Sequence, residues 1–179
     1  MTLQYSLDEK DYLQHQLFIA SQSPLVKRKR RRGRVIVPAM YFGCGIYFFS
    51  NDVTIGAIAF FLFAVAWFLF YPLWDKGVYV KYYKKGLDEH YKHRYGRLAV
   101  TELNEEYIRE LDGDNEAKFS ASEVISIDEI PGAIYVRLKT GTSVIIPASQ
   151  INDSVRSGLK ELAATWKVAY TEDQQWKWK

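Results

Sequence analysis

One apolar block dominates the pattern of hydrophobic and polar positions along the chain. Residues 35–74 contain a single charged side chain, Asp52, and the polar stretch Ser50-Asn51-Asp52 divides them into segments 35–50 and 53–74. The second segment is uncharged over 22 residues. As an α-helix it would extend about 33 Å, which is enough to cross a hydrocarbon core of about 30 Å. The pattern therefore predicts a two-helix transmembrane hairpin over 35–74.

Each of the two predicted spans has an alternative interpretation. A helix buried in a soluble core would have the same composition as 53–74, but a chain of 179 residues offers little protein to surround it. The first segment is shorter and contains Pro38, Gly43 and Gly45, so its alternative is a re-entrant segment that turns back before crossing. Pro38 lies near the start of that segment, where a missing amide costs little. We expect both segments to cross.

Helical patterns flank the apolar block on both sides. Before it, Ser6-Leu7-Asp8-Glu9 fits a capping box, and a weak apolar stripe runs to Ser23-Pro24. Residues 1–34 therefore predict an amphipathic helix followed by a basic run, with the helix on the membrane surface or packed on the C-terminal domain. After the block, residues 75–97 are rich in Tyr and Lys and predict a basic juxtamembrane helix that ends near Gly96.

After residue 97 the pattern changes to an alternation of period two. Turn residues such as Asp112-Gly113-Asp114-Asn115 separate the alternating segments. The alternation predicts five or six short strands, at Leu98–Leu103, Glu105–Leu111, Glu116–Phe119, Glu123–Ile130, Ile134–Lys139 and Ser143–Pro147. A stripe of helical spacing follows, formed by Val155, Leu159, Leu162 and Trp166.

This order of elements predicts the fold class. Residues 98–179 are expected to form an antiparallel β meander capped by a C-terminal helix, which is a pleckstrin-homology-like (PH-like) arrangement. In the strand that begins at Ile134, one face is expected to be apolar and the other, with Tyr135, to be polar. The whole chain is thus predicted to be an α+β membrane protein, with the hairpin anchoring a cytoplasmic β domain.

Basic residues are concentrated at the two ends of the apolar block. They are Lys27, Arg28, Lys29, Arg30, Arg31, Arg32 and Arg34 before it, and Lys76, Lys81, Lys84 and Lys85 after it. Lys and Arg within about 15–20 residues of a membrane helix favour the cytoplasmic side. The connecting loop carries only Asp52. The sequence therefore predicts a multi-pass membrane protein with both termini in the cytoplasm.

The same basic residues are also candidates for binding anionic lipid headgroups, since each contributes about 1 kcal/mol near an anionic leaflet. A nucleic-acid patch would have the same composition, but the membrane helix predicted to begin directly after Arg34 argues against it. The net charge of +3 combines a basic first half with an acidic second half, because residues 98–179 hold 9 Lys and Arg against 14 Asp and Glu. This asymmetry supports a membrane surface as the partner of the first half.

No catalytic motif is present in the sequence. It has three histidines and one cysteine, and it lacks both a phosphate-binding glycine loop and a Cys-x-x-Cys pair. His90 and His93 are spaced for one helical face, but a metal site requires three or four ligands. His15 is expected to be an exposed side chain, and Cys44 to be inert within lipid. We expect no enzyme activity, no cofactor and no metal.

Several short segments resemble the YcxB-like family of small bacterial membrane proteins. They are Tyr5-Ser6-Leu7, Asp11-Tyr12-Leu13, Ser122-Glu123-Val124, Ile134-Tyr135-Val136 and Val144-Ile145-Ile146-Pro147. Together with the basic run and the apolar block, they occur in the family's order over nearly the whole chain. The resemblance implies a YcxB-like C-terminal domain and a location in the bacterial inner membrane, and it provides no activity to transfer.

These features favour a membrane-anchored interaction module, or an accessory subunit of a membrane complex. Its cytoplasmic β domain is expected to bind a protein partner or a second copy of the chain. The alternative is an anionic-lipid-responsive module that uses the basic flanks. The expected partners are therefore the lipid bilayer, anionic headgroups and a protein, and nucleic acid is not expected.

Overall fold

The computed structural model describes residues 1–113 and 115–178; Asp114 of the predicted turn and Lys179 lie outside the described residues. The described chain is an α+β protein with four α-helices and two sheets. The helices are α1 (Glu9–Gln22), α2 (Pro24–Ser50), α3 (Thr54–His90) and α4 (Asp153–Trp166). The strands are β1 (Thr2–Ser6), β2 (Leu98–Leu103), β3 (Tyr107–Asp112), β4 (Asn115–Ser120), β5 (Val124–Ile130), β6 (Ala133–Leu138), β7 (Ser143–Pro147) and β8 (Ala169–Glu172).

The chain divides into two compact units. The β unit comprises Met1–His15 and Lys84–Lys177, and the helical unit comprises Gln16–Tyr83 together with Trp178. Both α1 and α3 contribute residues to each unit.

Two four-stranded sheets form the β unit. The first has the order β1-β2-β3-β4, and all its neighbours are antiparallel. The second has the order β7-β6-β5-β8, in which β5 pairs antiparallel with β6 and parallel with β8. Because β7 and β8 therefore run in the same direction, α4 provides the long crossover that such a connection requires. The six predicted strands are confirmed with ends within two residues, whereas β1 and β8 were not predicted.

Buried side chains from both sheets and from α4 form one hydrophobic core in the β unit. Ile108 of the first sheet, Ile134 of the second and Leu159 of α4 are all fully buried within it. The predicted stripe of α4 is confirmed, with Leu162 and Trp166 packing at the edge of the core. The side-chain oxygen of Asn152 accepts a hydrogen bond from the Val155 amide at 2.9 Å and caps the start of α4.

A buried carboxylate joins β5 to its neighbours. Glu129 is 2% exposed and accepts hydrogen bonds from Arg156 Nε at 2.9 Å, from the Tyr170 hydroxyl at 2.6 Å and from the Gln174 amide at 3.2 Å. Burial alone would raise the pKa of Glu129, but the hydrogen bonds from Tyr170 and Arg156 outweigh it and lower that pKa. The ionised carboxylate of β5 therefore holds α4 and the edge strand β8 in place.

Strand β6 differs from its predicted alternation at Tyr135. Its apolar face lies in the core as predicted, but Tyr135 on the opposite face is also fully buried. The beginning of α1 covers that face: the rings of His15 and Tyr135 lie 5.0 Å apart, and the Gln14 side chain donates to the Pro131 carbonyl at 2.6 Å. The N-terminal helix was predicted to lie either on the membrane surface or on the C-terminal domain. The first half of α1 packs on the β domain.

The start of α1 also differs from the prediction. Ser6 pairs with Leu98 as part of β1, so it does not cap a helix. The helix begins at Glu9, and the Asp8 amide donates to the Asp11 carboxylate at 2.9 Å, which is one half of a capping box placed two residues later.

In the helical unit, α2 and α3 pack as an antiparallel pair joined at Asp52, whose φ is 61°. Near this turn the rings of Phe48 and Phe60 stack with centroids 5.2 Å apart. Farther along, Trp67 Nε1 donates to the Gly33 carbonyl at 3.1 Å. The basic run is helical, because it lies within α2, which starts at Pro24 and is capped by Ser23.

One helix among the described residues, α3, is long and apolar enough to cross a membrane; its mean hydropathy reaches 2.1. In α2, seven Lys and Arg occupy residues 27–34, which leaves the 16 uncharged residues 35–50. As a helix these reach about 24 Å, short of a hydrocarbon core of about 30 Å. The prediction of a multi-pass protein of the bacterial inner membrane with both termini cytoplasmic is therefore wrong.

Candidate functional site

The apolar side chains of α3 are largely exposed. Ile55 is 85% exposed, Leu62 65% and Leu73 69%, and only 11% of the most apolar 18-residue stretch of α3 is buried. Single exposed apolar side chains are common on soluble proteins, but a continuous apolar surface indicates contact with a membrane or a partner. This surface of α3 is therefore the first functional candidate.

Six of the seven basic residues before the apolar block are exposed on α2. They are Lys27, Arg28, Lys29, Arg31, Arg32 and Arg34. None of the six forms an ion pair with another described residue. Arg34 lies 4.3 Å from the centre of the Phe68 ring, in a cation–π contact. Consecutive uncompensated positive charges of this kind attract anions.

Arg30 differs from its six neighbours, because its charge is compensated. Its Nε atom pairs with the carboxylate of Asp75, which is only 5% exposed. The Tyr71 hydroxyl donates to the same carboxylate at 3.3 Å. The Arg30 guanidinium also lies 4.6 Å from the ring centre of Trp178 and 5.8 Å from that of Tyr79. Arg30 was predicted to contact headgroups, but the structure places it in a half-buried ion pair.

The four lysines after the apolar block, all on α3, differ in their contacts. Lys76 and Lys81 are exposed on α3. In the β unit, Lys84 pairs with Glu9 at 2.8 Å, and Lys85 with Glu89 at 3.9 Å. Such surface pairs contribute little to stability.

A groove of about 530 Å³ lies between α2 and α3, and we call it the aromatic groove. Four rings of α3 line it: Tyr71, Trp74, Tyr79 and Tyr82. From α2 it is lined by Leu25, Val26 and Lys29. The groove thus combines an aromatic wall with one unpaired ammonium group.

A second cleft, of about 580 Å³, opens on the β unit, and we call it the charged cleft. Its ionisable lining residues are His90, Tyr91, His93, Arg94, Glu110, Asp112 and Glu116. Arg94 Nε pairs with Asp112 at 2.6 Å, and Arg109 Nε pairs with Glu116 at 2.7 Å. Among the described residues, the Glu110 carboxylate has neither an ion pair nor a hydrogen bond.

Glu110 is the side chain of the charged cleft with the most perturbed ionisation. Burial raises the pKa of Glu110 to about 7, with Arg94 opposing and Asp112 reinforcing the increase. The carboxyl group therefore gains its charge near neutral pH. A cationic group that entered the cleft would pair with it and favour the ionised form.

The three histidines are placed differently from their predictions. His90 is the last residue of α3 and His93 lies in the following 3₁₀ turn, so they do not share one helical face. His15 is half-buried, and burial lowers its pKa to about 4. Cys44 is exposed on α2. Over residues 1–113 and 115–178, no group of three or more His, Cys, Asp or Glu is arranged to hold a metal.

Sequence reasoning missed Asp75 and Glu110. Asp75 directly follows the apolar block and lies within a basic flank. This placement would have suggested an ion pair between Asp75 and a residue of the basic run. Glu110 has no such signal, because its environment is created by Tyr12, Arg94 and Asp112, which come from different elements.

Comparison with known proteins finds no match, whether to a family model, a curated protein or a solved structure. The resemblance to the YcxB-like family therefore stays a prediction.

Proposed function

We propose that this chain is a membrane-anchored interaction module that is held at a bilayer by α3 and presents its β unit to a partner. The exposure of the apolar side chains along α3 carries this proposal. Removing apolar surface from water is favourable by about 25 cal/mol per Å². Transfer of the exposed apolar side chains of α3 from water into hydrocarbon therefore lowers the free energy. The basic side chains of α2 add attraction to anionic headgroups.

Extraction of membranes with alkaline carbonate tests the anchor. The full chain should stay in the membrane pellet, and Leu62→Arg combined with Leu69→Arg should release it, because each charge is costly inside hydrocarbon. Leu98→Arg is the control for each single substitution, since Leu98 is an apolar residue of the β unit with a similar exposure of 58%, against 65% for Leu62 and 61% for Leu69. Release of the wild-type chain by carbonate would refute the anchor.

The charged cleft is the proposed contact surface for the partner. It is concave, it belongs to the β unit, and Glu110 within it has no ion pair among the described residues. The partner that fits this chemistry is a protein or a second copy of the chain that inserts a Lys or Arg side chain. Such a contact would depend on pH, because Glu110 ionises near neutrality.

Site-specific photo-crosslinking in intact membranes tests the contact. A crosslinker at Ala117, in the cleft wall, should capture a partner that a crosslinker at the exposed Lys139 does not capture. Glu110→Gln should reduce the yield at Ala117. Equal products at both positions, or a yield that ignores Glu110→Gln, would count against the charged cleft.

An anionic-lipid-responsive module is the second candidate function. The observation that favours it is the row of six exposed, unpaired basic residues on α2. In that case anionic lipid should change the crosslinking yield at Ala117 in vesicles of the purified chain. A yield that is the same in anionic and zwitterionic vesicles would leave the interaction module as the function.

We further propose that the β unit is PH-like. The succession of one antiparallel sheet, the antiparallel strands β5, β6 and β7, and a following helix supports this, although β1 and the parallel strand β8 extend the sheets beyond the predicted meander. Superposition of an experimental structure of the β unit on PH domains would test the assignment, and a different strand order would overturn it.

A further inference from the structure

We propose that the aromatic groove binds one anionic phospholipid molecule, with its phosphate at Lys29 and the start of an acyl chain along the aromatic wall. This inference rests on the proposed function, since it requires α3 to lie in a bilayer. It goes further by assigning one lipid molecule to a defined site rather than many headgroups to the whole basic run.

The charges of the groove favour an anion. Two charged side chains line it, Lys29 and Asp75. The carboxylate of Asp75 is neutralised by its ion pair with Arg30. Lys29 forms no ion pair with a described residue, so its ammonium group is available to a phosphate.

The walls of the groove favour an amphiphile over a free phosphate ion. Most of its lining is apolar or aromatic, including Val78 and the rings of Trp74 and Tyr82. Its volume of about 530 Å³ falls within the range of ordinary ligand pockets, about 300–1,000 Å³. Trp and Tyr also favour the membrane interface, because their rings have an apolar body and a polar edge.

The position of the groove along α3 fits the depth of a headgroup. The exposed apolar side chains of α3 are free of intervening lysines up to Leu73 and Trp74, and from Lys76 onward exposed lysines alternate with exposed apolar residues such as Val78 and Tyr82. The groove spans this boundary, since Tyr71 and Tyr82 both line it. A phospholipid with its acyl chain beside Leu73 would therefore place its phosphate at the level of the basic residues.

Native mass spectrometry of the full chain in detergent tests the site. Phosphatidylglycerol should be retained as one tightly bound molecule, in preference to phosphatidylcholine with the same acyl chains. Lys29→Gln should weaken this retention roughly fivefold, the effect of one cation near an anionic headgroup. Lys27→Gln is the matched control: it removes the same charge from the same helix outside the groove, and should change retention less than twofold.

A second pair of variants tests the apolar wall without changing any charge. Val78→Trp should fill the groove and reduce phosphatidylglycerol retention, whereas Val65→Trp, at another exposed position of α3, should not. Equal effects of Lys29→Gln and Lys27→Gln, or equal retention of the two lipids, would overturn the inference. Displacement of the lipid by soluble glycerol phosphate would also overturn it, since the site would then bind phosphate alone.

The failure of this inference is distinguishable from failure of the anchor. If the chain resists carbonate extraction but shows no preference for phosphatidylglycerol, only the lipid site is refuted. If carbonate releases the wild-type chain, both proposals are refuted.

Discussion

Arg30 of α2 and Asp75 of α3 form an ion pair 45 residues apart in the sequence, with Nε and Oδ2 separated by 2.5 Å. Trp178, itself only 6% exposed, covers the guanidinium group of Arg30. Asp75 is nearly buried, so the removal of its partner would leave a charge with little access to water. The pair therefore makes the helical unit unusually sensitive to the loss of either charge.

Replacement of one partner should destabilise the helical unit. We expect Asp75→Ala and Arg30→Met each to lower the free energy of unfolding by about 2–4 kcal/mol, because each leaves a poorly solvated charge behind. The double variant Arg30→Met with Asp75→Leu should recover much of this loss, since it removes both charges. Denaturant unfolding in detergent, followed by tryptophan fluorescence, measures all three.

Arg31→Met is the control for the change of charge and side chain. Arg31 is exposed and has no ion pair with a described residue, so its replacement should cost less than about 0.5 kcal/mol. If Arg30→Met and Arg31→Met had equal effects, the ion pair would have no special role in stability.

The strands of 98–147 and helix α4 were predicted well, because their patterns lie within single segments of the sequence. The alternation in 98–147 and the stripe of α4 arise from each element burying one of its own faces, so a single segment contains the signal. By contrast, β1 and β8 are short edge strands whose pairing partners are remote; Leu3, for example, pairs with Thr101. Tyr135 was misassigned because sequence alternation does not reveal that α1 covers the second face of β6.

Two glycines of α2 should respond to alanine in opposite directions. A Cβ atom at Gly45 would lie 2.6 Å from the Phe61 ring, whereas a Cβ at Gly43 would meet nothing within 4 Å. We therefore expect Gly43→Ala to stabilise the helical unit by up to about 1 kcal/mol through helix propensity. Gly45→Ala should destabilise it by about 1–2 kcal/mol, because the ring must move.

Unfolding of the two alanine variants in the same detergent gives the comparison. The two positions are on the same helix and undergo the same substitution, so intrinsic helix propensity cancels in their difference. Stabilisation of equal size at both positions would contradict the close packing of α2 on α3 at Gly45.

The candidate sites were predicted less completely than the fold. The basic run was evident because its charges are consecutive in the sequence. The ion pair of Arg30 was not evident, because it depends on Asp75 and Trp178, which lie close to Arg30 only in the folded chain. The ionisation of Glu110 likewise depends on burial, and its local sequence resembles that of any half-exposed strand.

Glu110 should make the stability of the β unit depend on pH. The titratable groups near it are Arg94, Asp112, Tyr5 and Tyr12. Burial raises the pKa of Glu110 from 4.5 to about 7, so between these pH values the unfolded chain loses a proton that the folded chain keeps. The contribution of Glu110 to stability therefore falls as pH rises through this window. Glu110→Gln should match the wild type below pH 4.5 and exceed it above pH 7 by about 1–3 kcal/mol.

Denaturant unfolding of both chains across this pH range, followed by circular dichroism, measures the difference. The difference is the required quantity, because His15 gives the opposite slope in both chains: its pKa is lowered from 6.5 to about 4, so its contribution rises with pH in that range. Glu116→Gln is the control from the same cleft, since Arg109 lowers the pKa of Glu116 and its removal should not produce a gain that grows towards pH 7. A Glu110→Gln difference that stays constant with pH would show that folding does not raise the pKa of Glu110, and that this carboxyl group does not titrate near neutral pH.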